Sequence, residues 1–518
     1  MPEKTLDVVI AGGGPNGLML ACELALCGVR PVVLEKLPEV SDEPRANGVA
    51  GQVVRLLDSR GLYEEFSGRA GVPQPAHAFF FGGMPVSFAA LDRNPVHLLP
   101  IPQRKMTRLL EKRALDLGVE IRRGHELVDL TQHGDGVTIT VAGRTGSYEA
   151  VTRFLAGADG GKSVVRKLIG IPFPGTTIPG VLRIAHVDIP AEFRSEDGGL
   201  EVPGVGRLQF GFNRLENGLF TFAELEPGRP LIATGERDDD TPTHSPMTFQ
   251  EMRDSVRRVL RADLPMSPPS GPGPHALRRM TGQNSRLAER YREQNVFLIG
   301  DAAHVHSAMG GPGLNLGLQD AANLGWKLAA HLHGWAPPGL LDTYHSERHP
   351  VGERVMTHTL AQAALVLPGA EVTALRQLFA ELLQSPENVA FVAGLLAGSD
   401  IRYDIGDPHP LSGLMVPDLT VETVDGPRRI AELLRTGRPV LLDLTTDACF
   451  AGIAQDWADR VDTVTGTSPE APAEALLVRP DGYVAWAAGQ AEGLRAALTR
   501  WFGSARQRTV TAAGRSAG

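Results

Sequence analysis

The sequence predicts an α/β fold of several domains, and three observations carry that prediction. First, residues 6–10, with a β-branched run from Val8 to Ile10, read as a buried strand that leads through Ala-Gly-Gly-Gly-Pro-Asn-Gly into residues 18–26, whose apolar and small side chains suit a helix packed on a sheet. Second, two later apolar runs end in turns that pair glycine with an acid, Ala158-Asp159-Gly160 and Ile299-Gly300-Asp301. Third, 518 residues are enough for about three domains of roughly 150 residues. The composition also shifts after residues 408–410, and three of the five tryptophans (Trp457, Trp486 and Trp501) lie beyond that point.

The opening strand, glycine turn and helix form a Rossmann-like unit. Gly12, Gly14 and Gly17 occupy the three glycine positions of the dinucleotide fingerprint. The first allows the tight turn, the second lets backbone approach a pyrophosphate, and the third lets helix and strand pack closely. A glycine triplet alone is weak evidence, and its surroundings strengthen it. Gly28 ends the helix, residues 30–34 form a second strand, and Glu35 stands at that strand's end, where a carboxylate can bond ribose hydroxyls. With no arginine immediately beside Glu35, an unphosphorylated ribose, as in FAD or NAD, fits better than NADP.

Composition narrows the function classes. Lys and Arg number 51 against 60 Asp and Glu, a net charge of −9, so no global basic field exists to hold nucleic acid or anionic lipid. Cys22, Cys27 and Cys449 form neither a C-x-x-C pair nor a zinc spacing, which fits a reducing compartment and no metal centre. The N-terminus lacks the long apolar core of a signal peptide, and no apolar run approaches the ~18 residues needed to span a bilayer. The expectation is a cytoplasmic protein, off the membrane, acting on a diffusing small molecule.

The segment around Asp159 reads Phe-Leu-Ala-Gly-Ala-Asp-Gly-Gly-Lys-Ser-Val-Val-Arg, and residues 296–304 read Val-Phe-Leu-Ile-Gly-Asp-Ala-Ala-His before a glycine loop and Leu-Asn-Leu-Gly-Leu-Gln-Asp-Ala-Ala-Asn. With the opening fingerprint, these motifs resemble those of the group A flavoprotein monooxygenases, the para-hydroxybenzoate hydroxylase family. The similarity is greatest to its larger members, which hydroxylate aromatic polyketides or rifamycin-type antibiotics, and it extends along nearly the whole chain. The resemblance implies a discontinuous FAD-binding domain of the glutathione-reductase type (1–75, 98–175 and 279–400). It further implies an inserted mixed β-sheet substrate domain (76–97 and 176–278), a thioredoxin-like C-terminal domain (401–505) and a tail (506–518).

The same resemblance implies roles for individual residues. Gly12, Gly14, Gly17, Glu35 and Lys36 would hold the ADP half of FAD, Arg45 would lie near the cofactor, and Gln103 would contact its ribityl region. Leu127 would offer backbone to the adenine. Asp159 and Gly160 match the motif tied to both FAD and NAD(P)H, and Asp301 matches the aspartate that bonds the ribityl chain. Pro312, Gly313, Leu314 and Asn315 match the loop and helix start beneath the isoalloxazine ring. A helix from about Leu314 to Leu332, with Leu314, Leu318, Ala321, Leu324 and Leu328 on one stripe, would point its positive N-terminal end at that ring and stabilise charge gained on reduction. The chain departs from the family pattern at Ser307 and Ala308, where many members carry Pro-Pro, and at Pro312, where glutamine or lysine is common.

Substrate recognition is expected from residues 176–278 and 79–88. Phe210, Phe212, Phe220 and Phe222 alternate around Asn217-Gly218, a hairpin signal, and Phe79 and Phe81 belong to a second aromatic cluster; these six are the candidate wall of a flat aromatic pocket. Asp301, His304 and His306, or His345 with His349, could be read as metal ligands. The glutamate of His345-Ser-Glu-Arg-His349 is misplaced for a zinc protease motif, so ordinary hydrogen-bonded histidines are the better reading. Near the C-terminus, strands at 440–444 and 461–464, a hairpin at 475–486 and a helix ending near Trp501 match the thioredoxin-like order, and lone Cys449 excludes dithiol chemistry.

The implied activity is an FAD-dependent monooxygenase that uses NADPH or NADH and dioxygen to hydroxylate an aromatic small molecule through a flavin 4a-hydroperoxide, as a monomer or homodimer. No general base stands out. Baeyer–Villiger or ring-opening oxygenation of a polycyclic polyketide, and a catalytically silent flavin- or ligand-binding protein, are the alternatives.

Overall fold

The computed structural model describes residues 5–43, 45–224, 226–237, 245–307, 309, 311–487 and 491–506. Ala308, Gly310 and all but the first residue of the 506–518 tail therefore lie outside the described residues.

The central sheet has eight strands. Leu6–Ala11 sits in its middle, parallel to Gly146–Gly157 on one side and to Val32–Glu35 on the other, with Glu120–Arg123 and Val296–Leu298 extending the parallel order outward. A strand covered on both faces needs a continuous apolar run, and Val8, Val9 and Ile10 are fully buried. Glu126–His133 and Gly136–Gly143 join Gly146–Gly157 as an antiparallel meander. Helix Pro15–Leu26 packs between this sheet and two further helices, Gln103–Asp116 and Pro312–Leu332.

Helix Pro312–Leu332 differs from the amphipathic stripe expected of it. Every residue from Asn315 to Ala330 is buried, so the helix is enclosed on all sides. Its polar residues Asp320, Asn323 and Lys327, at i, i+3 and i+7, form a line of their own within that enclosure.

A second, six-stranded sheet runs in the order Gly211–Leu215, Gly218–Ala223, Leu231–Glu236, Gly175–His186, Leu277–Leu287 and His304–Val305. Its last strand is the two-residue continuation of the Gly300-Asp301 turn and pairs with Arg286 and Leu287, so the two sheets share a piece of chain. Helix Phe249–Leu260 covers one face, where Met252, Val256 and Val259 meet Ala185, Phe220, Phe222 and Ile232.

Near the C-terminus a four-stranded sheet has the order Asp462–Thr465, Val440–Asp443, Ala475–Val478, Val484–Ala487; its first pair is parallel and the rest antiparallel. Helix Ala491–Phe502 follows it. An antiparallel ribbon, Thr420–Thr423 with Gly426–Arg429, precedes the sheet and has no counterpart in the sequence reading. Along the chain, three helices, Thr343–Leu365, Ala370–Leu382 and Pro386–Ala397, lie between helix Pro312–Leu332 and this ribbon.

Candidate active site

The glycine turn is built by close approach. A Cβ on Gly12 would lie 2.3 Å from the Ala158 carbonyl, and one on Gly17 would lie 2.0 Å from the Gly12 carbonyl, so both positions are glycine for packing reasons. Gly14 is different: a Cβ there would meet no protein atom within 4 Å. It caps helix Pro15–Leu26 without any side-chain hydrogen bond, leaving the first N–H groups of the helix directed at open space. Glu35 stands at the mouth of the turn, where its carboxylate accepts the N–H of Gly13 at 2.7 Å and of Leu37 at 2.8 Å. The His125 N–H donates to the Glu35 carbonyl at 3.0 Å, which brings the strand bearing Leu127 alongside; Lys36 is exposed next to it.

The Asp159 carboxylate caps a helical turn through one oxygen, which accepts the N–H groups of Val164 and Val165 at 2.7 and 3.1 Å. Its other oxygen is buried without a partner, as is the side-chain oxygen of Asn16. Gly160 has a φ of +83° and open space in front of it. Arg166, on the turn that Asp159 caps, donates to the carbonyls of Ala302 and Gly161 and so ties the Asp-Gly turn to the Gly-Asp turn.

In the Gly-Asp turn, Gly300 adopts a φ of +58°, and a Cβ on it would lie 2.0 Å from the Asn16 amide nitrogen; a Cβ on Gly317 would lie 2.2 Å from the same atom. Asn16 is thus wedged between the turn and helix Pro312–Leu332. Burial pushes the Asp301 carboxyl above its usual value against the pull of His304 and Arg45, yet its surface is open, as expected of a side chain lining an interior cleft. Arg45 pairs with Glu43 at 2.9 Å. Gln103 runs beside the same segment, its N–H donating to the Ala46 carbonyl at 2.8 Å.

The long helix begins at Pro312 behind Gly311, which is left-handed at φ +66° and supplies no side-chain cap. Leu314 is half-buried beside it. Asn315 accepts the Ala50 N–H at 2.9 Å and donates to the Gly311 carbonyl at 3.1 Å, joining the helix start to the strand after Arg45. The imidazole of His306 lies against Gly313. A carbonyl cannot donate, so the 3.1 Å contact from Nδ1 to the Ser307 carbonyl makes Nδ1 the protonated nitrogen. Burial lowers the His306 pKa to about 4 and keeps the ring neutral. The Ser307 hydroxyl, where proline was the family pattern, donates to Gln283 of the second sheet at 3.1 Å.

The six phenylalanines do not share one wall. Phe220 and Phe222 face helix Phe249–Leu260 and are buried in that core. Phe79 and Phe81 turn toward the helices after 365, where Phe81 stacks on Phe379 with ring centres 5.5 Å apart. Phe210 precedes its strand and is exposed. Of the six, only Phe212 keeps a half-buried place on the sheet face opposite the helix, in register with Thr221, Ala233 and Ile184. Phe80 meets Phe212 edge to face at 5.7 Å. That sheet face turns toward the Arg45 segment, since Arg278, paired across from Ile184, reaches Glu43 at 3.4 Å.

Sequence reasoning missed Asn16, Arg166, Gln283 and Asp320. Only Asp320 carried a signal: an acid on an otherwise apolar helical run. Among the described residues no group of three or more His, Cys, Asp or Glu could hold a metal ion, and no helix is long and apolar enough to cross a membrane.

The fit to FAD rests on these local features. Helix starts directed at open space suit phosphates, a buried carboxylate oxygen on Asp159 lacks a donor, and Asp301 lines the cleft beside a third helix start. Comparison with known proteins agrees. Residues 5–359 match the family model described as FAD binding domain, and residues 409–505 match that described as Aromatic-ring hydroxylase, C-terminal. A 12-dehydrotetracycline 5-monooxygenase/anhydrotetracycline 6-monooxygenase of Streptomyces rimosus is 43% identical over 513 residues, covering 96% of this chain and 99% of its own. A rifampicin monooxygenase of Streptomyces venezuelae is 38% identical over 502 residues, covering 96% and 99%. The structure of the OxyS anhydrotetracycline hydroxylase from Streptomyces rimosus aligns with a TM-score of 0.86 at 41% identity, over 97% of this chain and 100% of that one. With one family model spanning more than half of the sequence and relatives of this identity along nearly all of it, the chain belongs to the FAD-binding aromatic-ring hydroxylases and is an FAD-dependent monooxygenase.

Proposed function

We propose that the protein hydroxylates an aromatic polyketide of the tetracycline or a related polycyclic class, with NADPH or NADH as reductant. The substrate would bind between the open face of the second sheet and the cleft lined by Arg45, Asp301 and the start of helix Pro312–Leu332. The observation that carries this reading is the direction of that sheet face: Arg278 reaches the Arg45 segment, while the opposite face is closed by helix Phe249–Leu260. Relatives named for anhydrotetracycline and rifampicin support the substrate class. On this reading, 1–75, 98–175 and 279–400 form the FAD unit, 76–97 and 176–278 the substrate unit, and 401–505 the C-terminal unit of a cytoplasmic enzyme that works as a monomer or homodimer.

FAD, when bound, supplies hydride acceptance from NAD(P)H and the activation of dioxygen. The protein's own residues have narrower tasks. The glycine turn and Glu35 hold the ADP half, Asp301 and Gln103 orient the ribityl chain, and the N–H groups after Gly311 stabilise negative charge at the reduced ring. Phe80, Phe212 and Thr221 present an apolar wall that holds a flat ring and excludes water.

The test is NADPH oxidation by the purified yellow protein with and without anhydrotetracycline. The reading requires faster oxidation with the aromatic compound and a product heavier by one oxygen atom with its ring count unchanged. Oxidation that ignores the aromatic compound, or a product with an enlarged or opened ring, would overturn it. Gly14→Ala, which meets no protein atom, is expected to leave the fold intact and abolish FAD retention.

A further inference from the structure

Asp320 holds both ends of the turn that presents Asp301. One oxygen of this fully buried carboxylate accepts the Gly300 N–H at 3.2 Å and His304 Nε2–H at 2.7 Å. The other accepts Arg348 Nε–H at 2.8 Å. Arg348 is itself fully buried and places its remaining donors on the Tyr403 hydroxyl at 3.0 Å and the Leu316 carbonyl at 3.1 Å. Tyr403 lies face to face with Tyr483 of the C-terminal region, ring centres 4.1 Å apart. A continuous path of directed contacts therefore runs from the C-terminal sheet to the Gly-Asp turn.

We propose that Tyr403, Arg348 and Asp320 are positioning residues through which the C-terminal part of the chain sets the geometry of the FAD site; this rests on the reading that Asp301 and the glycine turn hold FAD. Three considerations support it. A buried carboxylate needs a countercharge, and Arg348 supplies one whose orientation is fixed by Tyr403 and Leu316. Burial alone would push the Asp320 carboxyl up, but Arg348 and His304 hold it below the usual range, so it remains an anion able to anchor the Gly300 N–H. Displacement of Gly300 would be passed directly to the glycine turn, because Asn16 is wedged against it. Apolar side chains could fill the same space at no loss of stability, so a chain of directional contacts is better explained by the geometry it enforces than by the energy it adds.

The test uses the full-length protein with Asp320→Asn and Tyr403→Phe. FAD dissociation constants from reconstitution, visible-region circular dichroism and the flavin midpoint potential are measured, together with the melting temperature of the apoprotein. Tyr403→Phe should weaken FAD binding about five-fold, the equivalent of one hydrogen bond, and alter the flavin dichroism with little change in apoprotein melting. Asp320→Asn should weaken it at least about ten-fold and move the midpoint potential positive, because Arg348 loses its countercharge. The proposal is overturned if both variants keep wild-type affinity, dichroism and potential while only melting falls. Should Asp320→Asn fail to fold, Tyr403→Phe decides the matter alone. A wild-type protein that binds no FAD would instead count against the FAD assignment itself.

Discussion

Toward the C-terminal sheet, the FAD-binding region presents a buried junction of ions; toward the second sheet, it presents an open one of single hydrogen bonds and long ion pairs. In the first, the fully buried Arg479 grips Glu347 through two contacts at 2.7 and 2.8 Å and lies over the rings of Trp326, Tyr403, Tyr483 and Trp501. Lys327 adds a second cation to Glu347, again at 2.7 Å. In the second, Ser307 bonds Gln283, and the ion pairs Arg278–Glu43 and Arg104–Glu226 are long, at 3.4 and 3.5 Å. The contrast teaches which side must stay fixed. On the proposed reading a substrate enters beside the second sheet, so that junction stays unsealed, and the rigidity that an ordered cofactor site needs is placed on the opposite side.

The largest expected effect breaks the closed junction. Arg479→Met leaves Asp481 and part of the Glu347 charge buried without a countercharge and should cost about 3–5 kcal/mol, read as a fall in the urea midpoint; an unchanged midpoint would mean that the ions do not hold this interface. Next is Phe220→Ala, expected to cost about 3–5 kcal/mol of stability through the cavity it leaves under helix Phe249–Leu260, with KM for the aromatic substrate unaltered in whatever fraction stays folded. A specific rise in KM would restore Phe220 to the pocket wall.

The two junctions should also part company in acid. Burial holds His186, at the end of a strand of the second sheet, and His306, just after its last strand, at about 4, against an ordinary value of about 6.5. The unfolded chain therefore binds more protons between those values, and stability on that side is lost as pH falls from about 6.5 to about 4, by up to a few kcal/mol. Burial would raise the Glu347 carboxyl, but Arg479 and Lys327 pull it down to about 2. Its contribution is complete above about 4.3 and fades only as pH falls toward 2. Hydrogen exchange at pH 5 should show protection lost in strands of the second sheet and kept in Val440–Asp443 and Ala475–Val478; simultaneous loss would contradict the contrast. The smallest effect is Phe212→Leu, which should change stability by less than about 1.5 kcal/mol and raise KM several-fold.

Local chemistry was readable from the sequence, and partnership was not. The glycine fingerprint, the Asp-Gly and Gly-Asp turns and the Asn217-Gly218 hairpin depend on residues close in the chain, and each stands where its pattern puts it. The phenylalanines failed for a physical reason. Period-two alternation shows that Phe220 and Phe222 share a face, but helix Phe249–Leu260 decides that this face is covered. In the hairpin Ala78–Phe81 with Met84–Ser87, the same alternation sends Phe79 and Phe81 inward and leaves Phe80 for Phe212. The buried ion sets were illegible because Arg479 and Glu347 are 132 residues apart and Arg348 and Asp320 are 28 apart. Only the line Asp320, Asn323, Lys327 on an apolar helix hinted that something polar had to meet it.

The short strand His304–Val305 bears on how such enzymes could be recombined. Because the second sheet takes its final strand from the chain leaving the Gly300-Asp301 turn, the segment between 176 and 278 is not a cassette that can be lifted into a relative on its own. A graft of 176–278 alone would part strand Gly175–His186 from its partner Leu277–Leu287, and that partner from His304–Val305, unless residues 277–305 travelled with it, and those residues carry Asp301 along. On the roles proposed for Asp301 and the second sheet, selectivity and cofactor seating are inherited together, as one stretch of chain.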